Sequence, residues 1–247
     1  MPRETTALQG DGHAFPPIRS RDELPRRVLV VVAHADDEVI GIGGLLAFHA
    51  QRGDSVHVVH ATTGGRGDPD ARHEDIEAMR QQEGVDALAA LGIDPPTTLG
   101  FQDGSLSGCE RELATALGEL FAEHTPGLLY TFHRGEYHAD HRAIAAAACK
   151  ARDFLEAACR ILLFGVNQAV PFGDLYDYSD LVAVKQRALA CFRSQLAYLD
   201  FATKVMQRDQ AATVNVELPE VTHAELLAEV DRETWPAHIG KLDAFVT

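Results

Sequence analysis

The chain has 247 residues, 46% of them hydrophobic and 24% charged, with a formal net charge of −15. That length and composition suit one globular domain that buries its own core. Lys and Arg are scattered apart from Arg26-Arg27, which argues against a phosphate-binding face and so against nucleic acid as a partner.

In chain order, residues 1–26 are polar with Gly10, Gly12 and Pro16-Pro17, and are expected to form an irregular N-terminal arm. Met1–Gly12 lacks the apolar stretch of a signal peptide. No apolar run is long enough to cross a bilayer, so no membrane anchor is expected. Val28–Ala33 is a β-branched run of the kind found in a strand buried on both faces. Val39–Arg52 reads as helix and Ser55–Ala61 as a second strand. A turn-rich loop, Thr62–Pro69, leads to a helix over Glu74–Leu91 closed by Gly92. Thr97–Leu99 is a short strand, Phe101–Gly108 a loop, Glu110–Glu123 a helix, and Gly127–Phe132 a strand. Tyr137–Ala158 reads as an Ala-rich helix with a break near Arg152-Asp153, and Arg160–Val166 as a strand. Beyond it, Leu181–Val184 is expected as an edge strand, Lys185–Gln207 as a long helix and Thr213–Leu218 as a last strand. The stretch around Trp235-Pro236 has no assignment.

The alternation of strand and helix predicts an α/β fold, Rossmann-like, with a mostly parallel sheet and helices on both faces. Residues 27–247 are expected to form a single domain with C-terminal additions. Cys109, Cys149, Cys159 and Cys191 form no CxxC pair. That spacing argues for reduced thiols in a cytoplasmic protein and against a thiolate-rich metal site.

Two constellations carry chemistry. His34-Ala35-Asp36-Asp37-Glu38 follows the first strand, where open α/β sheets bind ligands. Acids in a first helical turn are also favoured by capping and the helix dipole. Three acids beside a histidine at a half-buried strand end nevertheless repel one another, and a divalent cation offsets that repulsion. Further on, His138-Ala139-Asp140-His141 opens a helix after the fourth strand, and residues three apart share a helix face. Both clusters fall at the carboxyl ends of parallel strands, which favours one shared site over two surface accidents.

Ala33–Glu38 resembles the AHPDDE signature, and His138–His141 the HPDH signature, of the PIG-L/LmbE-like zinc N-deacetylases. That family hydrolyses N-acetyl groups on N-acetylglucosaminyl compounds and related amines. The loop Thr62–Gly67, the Arg80/Glu83 helix ending in Leu91-Gly92, Asp103-Gly104, and Lys185 with Ser194-Gln195 are similar to further family features, over roughly residues 27 to 200. Ala35 and Ala139 stand where both signatures have proline. Gly65 stands where an acid is common.

The resemblance implies that His34, Asp37 and His141 hold Zn²⁺ or another first-row metal, and that Asp36 is the general base. It further implies that His138 stabilises the oxyanion and that Asp140 orients or charge-stabilises a histidine. Arg66 is the candidate substrate contact. Glu38 receives no role, and Arg80 with Glu83 reads as a helix-face ion pair. Phe172, Tyr176 and Tyr178 either cover a sugar ring or pack on the core. His60 and His133 sit near strand ends. The expected substrate is a small N-acetylated molecule, a sugar conjugate; homo-oligomerisation is left open.

Three rivals remain. A Mg²⁺-dependent receiver-like domain would use Asp103 but leaves the histidines idle. A dinucleotide module fails because Gly41-Ile42-Gly43-Gly44 falls inside a helix. An inactive, metal-binding member of the same family is the third.

Overall fold

The computed structural model describes residues 16–246. Strands β1 (Arg27–Val32), β2 (Ser55–Thr62), β3 (Thr97–Phe101), β4 (Leu128–Phe132) and β5 (Arg160–Phe164) run parallel. Beyond them lie β6 (Asp174–Asp177) and β7 (Ala224–Val230), with β7 antiparallel to both β5 and β6. The spatial order is β3-β2-β1-β4-β5-β7-β6. Strand order reverses between β1 and β4, so the crevice for a ligand opens at their carboxyl ends. Leu29–Val32 are wholly buried, as a strand covered on both faces requires.

Helices α1 (Asp37–Arg52), α2 (Ile76–Leu91) and α5 (Val182–Leu189) pack together, while α3 (Glu110–His124) and α4 (Ala139–Lys150) form a second group. Gly53 and Gly92 end α1 and α2 with φ of 73° and 83°, a conformation that costs glycine nothing.

Helix α1 is broken at Ile42 (φ −140°, ψ 23°). Groups from the C-terminal third repair the break. The Glu225 carboxylate accepts from Gly44 N–H (2.7 Å) and Leu45 N–H (2.9 Å), while Arg208 donates to Ile40 C=O (2.7 Å). Lys185 Nζ lies 2.7 Å from both Asp209 and Glu225. The glycines here are packing contacts: a Cβ on Gly44 would meet the Tyr178 ring at 2.2 Å, and one on Gly41 the Phe164 ring at 2.2 Å. This is why the run lacks the context of a dinucleotide fingerprint.

Of the N-terminal arm, residues 1–15 lie outside the described residues. Its described part is anchored: Leu175 N–H donates to Pro17 C=O and Arg19 N–H to Leu175 C=O, both at 2.8 Å, so this segment covers the edge of β6.

The structure corrects the C-terminal reading. Leu181–Val184 is no edge strand. A 3-10 turn, Ser179–Leu181, runs into α5, whose Lys185, Ala188 and Leu189 face inward at helical spacing. Four apolar residues are too few for periodicity to separate the two states. The edge strand is β6, only four residues long. The helix expected over Lys185–Gln207 divides into α5, α6 (Arg193–Leu196) and α7 (Phe201–Ala211). One break is made by Ser194, whose N–H and hydroxyl both donate to Glu83 (2.8 and 2.6 Å). The other is made by Asp200, whose side chain caps α7 at Thr203 N–H.

Thr213–Leu218 alternates without forming a strand; Val214 is 79% exposed, so the pattern has no core to face. The last strand is β7, and α8 (Trp235–Val246) follows it. In the fourth crossover, α4 stops at Lys150 and a 3-10 turn occupies Arg152–Phe154, beside the expected break.

Candidate metal centre

The residues that end β1 and β4 meet at the crevice. After β1 the chain turns sharply at Asp36, whose φ of 151° is rare for any residue with a Cβ. Such a conformation costs about 1–3 kcal/mol and persists only where the surroundings enforce it. The turn sends neighbouring carboxylates to different partners. Asp37 points at two imidazoles, 3.3 Å from His34 Nδ1 through Oδ2 and 3.2 Å from His141 Nε2 through Oδ1. Asp36 instead meets Arg80 at 3.3 Å.

Each imidazole is held from behind. His34 Nε2–H donates to Asp103 (3.0 Å) and lies 3.6 Å from Asp140. His141 Nδ1–H donates to Glu136 (3.0 Å), and its ring stacks on Phe132 at 4.1 Å. Glu136 is itself fixed by the backbone N–H groups of Val166, Asn167 and Gln168. Asp140 accepts from Gly104 N–H (2.7 Å) and Leu106 N–H (3.1 Å), tying α4 to the loop that carries Asp103. His138, at the N-cap of α4, accepts the Asp140 N–H at Nδ1, so its proton sits on Nε2.

Burial and charge act on these groups in opposition. Burial alone would raise Asp37, yet His141 and His34 outweigh it and hold the carboxyl well below its ordinary value. Burial raises Asp36 to about 6, with Arg80 pulling it down and Asp37 pushing it up. Burial would lower both site imidazoles, but their carboxylates prevail: Asp37 and Glu136 raise His141 to about 9, and Asp103, Asp140 and Asp37 lift His34 well above the usual range. His138 is lowered by burial and then by the neighbouring His34 and His141. Asp103 is pulled to about 2 because His34, the Arg66 N–H and Arg80 outweigh its burial.

The donor set suits a cation. Ligands 2.0–2.1 Å from a tetrahedral zinc lie about 3.3 Å from one another, and Asp37 stands 3.2 and 3.3 Å from its two imidazole nitrogens. Each of these imidazoles turns its other N–H to a buried carboxylate, as metal-ligating histidines do. Two other groupings compete: His34, His138 and His141, and His34, Asp103 and Asp140, whose donor atoms fall within 4.8 Å of one another. Asp37 fits better than His138, which is exposed and uses Nδ1 for the helix cap, and better than Asp103 and Asp140, which face His34 at Nε2, because Asp37 reaches both imidazoles.

A family model described as "PIG-L: GlcNAc-PI de-N-acetylase" matches residues 29–152. The chain belongs to the PIG-L family. It is 30% identical over 186 residues to a probable N-acetyl-alpha-D-glucosaminyl L-malate deacetylase 2 of Bacillus subtilis (strain 168), covering 70% of this chain and 84% of that one. A 1D-myo-inositol 2-acetamido-2-deoxy-alpha-D-glucopyranoside deacetylase of Kineococcus radiotolerans is 29% identical over 165 residues, covering 53% and 46%. Among solved structures, the N,N'-diacetylchitobiose deacetylase of Pyrococcus horikoshii shares the fold with a TM-score of 0.71 at 19% identity, covering 85% of this chain and 86% of that one. The 4-carboxy-2-hydroxymuconate hydratase of Pseudomonas putida KT2440 shares it too, with a TM-score of 0.68 at 23% identity, covering 82% and 95%. The fold therefore hosts more than one reaction, and the chemistry must be argued from the site.

In this PIG-L protein the structure gathers His34, Asp36, Asp37, His138, Asp140 and His141 in one place. Arg66 stands at the rim: its N–H donates to Asp103 (3.0 Å), and its exposed guanidinium lies over Gly104 with no ion pair among the described residues. Arg80 does not pair with Glu83. It is buried, donates to Gly64 C=O (3.0 Å) and reaches Asp36, while Glu83 holds Ser194. Glu38, without a role in the sequence reading, meets His60 at 3.1 Å. Asp103 and Glu136 were not singled out as partners of the site imidazoles. Their signal is an acid at a strand's carboxyl end, which by itself does not name the histidine it serves. Tyr176 and Tyr178 are core residues, whereas Phe172 is 87% exposed. No helix among the described residues is long and apolar enough to cross a membrane.

Proposed function

We propose that this protein is a metal-dependent N-deacetylase that removes the acetyl group from an N-acetylglucosaminyl-type small molecule, releasing acetate and a free amine. The observation that carries the reading is the placement of Asp37 between His34 and His141 at ligand-to-ligand distances, with Asp36 diverted from the same turn. The family and the names of the relatives support the reaction and the sugar.

His34, Asp37 and His141 would hold the metal, and two imidazoles with a carboxylate favour zinc. When bound, the metal polarises the acetamide carbonyl and acidifies water. Asp36 takes a proton from the attacking water and delivers it to the leaving nitrogen. Arg80, 3.3 Å from Asp36, keeps that carboxylate in place. His138 donates Nε2–H to the oxygen that gains charge, a neutral donor fixed by its Nδ1 contact with the Asp140 N–H. Asp140 fixes the loop around Asp103 and the position of His34. Arg66, free at the rim, contacts the sugar. The four cysteines are unpaired, which supports a reducing, cytoplasmic setting.

The test is Asp36→Asn in zinc-loaded protein. Zinc content should be unchanged and kcat for acetate release should fall by roughly 10²–10⁴-fold. Loss of the zinc would exchange the roles of Asp36 and Asp37, and an unchanged kcat would remove Asp36 from the mechanism.

A further inference from the structure

The loop that carries Arg66 has little to hold it from within. Gly64, Gly65 and Gly67 flank the arginine, and a glycine-rich chain gives up more freedom than most to present one side chain in one place. Four contacts from outside fix the loop. Arg80 Nη1–H donates to Gly64 C=O (3.0 Å), and Asp103 accepts the Arg66 N–H (3.0 Å). Gln195 Nε2–H donates to Gly67 C=O (2.9 Å), and the Tyr198 hydroxyl donates to the Asp68 carboxylate. Gly67 is threaded between two of these partners: a Cβ there would meet Arg80 Nη1 at 2.7 Å and Gln195 Nε2 at 2.9 Å.

Arg80 and Asp103 also serve the metal centre, where they reach Asp36 and His34. Gln195 and Tyr198 come from elsewhere. Gln195 belongs to α6 and Tyr198 to the turn between α6 and α7, both beyond the 29–152 segment that the family model matches. Neither hydrogen-bonds to a metal-centre residue among the described residues. Their segment is firmly seated. Ser194 is buried, donates twice to Glu83 of α2, and accepts from Gln195 Nε2 (3.0 Å). Tyr198 meets the loop at two points, because the Arg72 guanidinium lies over its ring at 4.1 Å from the centroid. The Asp68 carboxylate in turn accepts the N–H groups of Arg72 (3.0 Å) and His73 (2.8 Å).

We infer that Gln195 and Tyr198 are positioning residues, which hold the 64–68 loop in the shape that presents Arg66 to the substrate. A loop ordered before the substrate arrives spares the cost of ordering it on binding, so affinity rises. The gain is shared by bound substrate and transition state, so it appears in KM and not in kcat. Both residues act through Arg66, and their effect therefore depends on that side chain being present.

The inference rests on the deacetylase reading with Arg66 as the sugar contact, and the experiment separates them. Acetate release from N-acetylglucosamine is measured for the zinc-loaded protein, for Tyr198→Phe, for Gln195→Met, for Arg66→Ala, and for each of the first two combined with Arg66→Ala. Tyr198→Phe keeps the ring under Arg72 and removes only the hydroxyl. Gln195→Met keeps the length of the side chain and removes its donor. Each should raise KM by roughly 3–10-fold, the range for one hydrogen bond, with kcat and zinc content unchanged. Combined with Arg66→Ala, each should change KM by less than about two-fold. An unchanged KM in either single variant, an equal rise with and without the Arg66 side chain, or a loss of zinc would overturn the inference and leave the deacetylase reading in place. A normal KM in Arg66→Ala would remove Arg66 as the sugar contact, and the positioning role with it. Absence of acetate from every protein, the unaltered one included, would overturn the deacetylase reading itself.

Discussion

Helix α1 has a cluster of buried charge at each half, and the two clusters are balanced differently. At the break after Ile42, Lys185 sits between Asp209 and Glu225 at 2.7 Å from each. Arg208 contacts Asp209 at 2.9 Å, Tyr178 donates to Asp209 at 2.6 Å, and two backbone N–H groups of α1 reach Glu225. Burial pushes both carboxyls up. Lys185 and Arg208 pull Asp209 back below its ordinary value, and Glu225 stays raised. At the start of the helix, the carboxylates Asp36, Asp37, Asp103 and Asp140 gather near one permanent cation, Arg80, which reaches Asp36 and Asp103. The rest of their charge is met by imidazoles that must hold protons to do it. A cluster that its own side chains complete is a staple. A cluster with surplus carboxylate beside histidines is suited to a divalent cation.

The largest expected effect breaks the staple. Lys185→Met leaves two carboxylates buried without their shared cation, and should cost about 3–5 kcal/mol in urea unfolding. Acetate release per folded molecule should stay near wild type, since Lys185 touches none of the site residues. A loss below about 1 kcal/mol, within the range of exposed pairs, would mean that the two clusters are not balanced differently after all.

A smaller effect sharpens the other side of the comparison. Glu136→Gln keeps the shape of the group behind His141 and removes its charge. Zinc affinity, measured by competition with a chelator, should fall by about 10–100-fold, with unfolding of the metal-free protein nearly unchanged. Wild-type affinity would show that Glu136 serves the 166–168 backbone and not the histidine.

The same contrast explains what was legible in the sequence. The first two-thirds of the fold follows from local signals: a β1 apolar from Val28 onward, the glycine caps at Gly53 and Gly92, and strands long enough for their pattern to be read. The final third depends on tertiary partners. Ser194 breaks a helix because Glu83 is there to receive it, and Leu181–Val184 winds into a helix because Lys185 must reach Asp209 and Glu225. The residues proposed to face the metal were readable because they stand in two short runs, His34–Asp37 and His138–His141. Their supports were not: Arg80 and Asp103 meet them from other segments of the chain, and Glu136, five residues before His141, carries no local sign of the ring it holds. Even the two alanines in place of proline are clear only in the structure. Ala139 occupies the first position of α4 after an extended His138 (φ −70°, ψ 130°), where the helix geometry holds without proline. Ala35 is buried, with a Cβ on Gly84 reaching it at 3.1 Å, so packing fixes the turn.

The central claim is that the surplus of carboxylate at the start of α1 is completed by a metal that the reaction requires. Its most direct test follows acetate release from an N-acetylglucosaminyl substrate as zinc is added back to chelator-stripped protein. The account predicts negligible release without metal, a rise in proportion to zinc bound, and a plateau at one equivalent per chain that His141→Ala abolishes. Full activity in stripped protein, or one bound zinc with no acetate released, would contradict it.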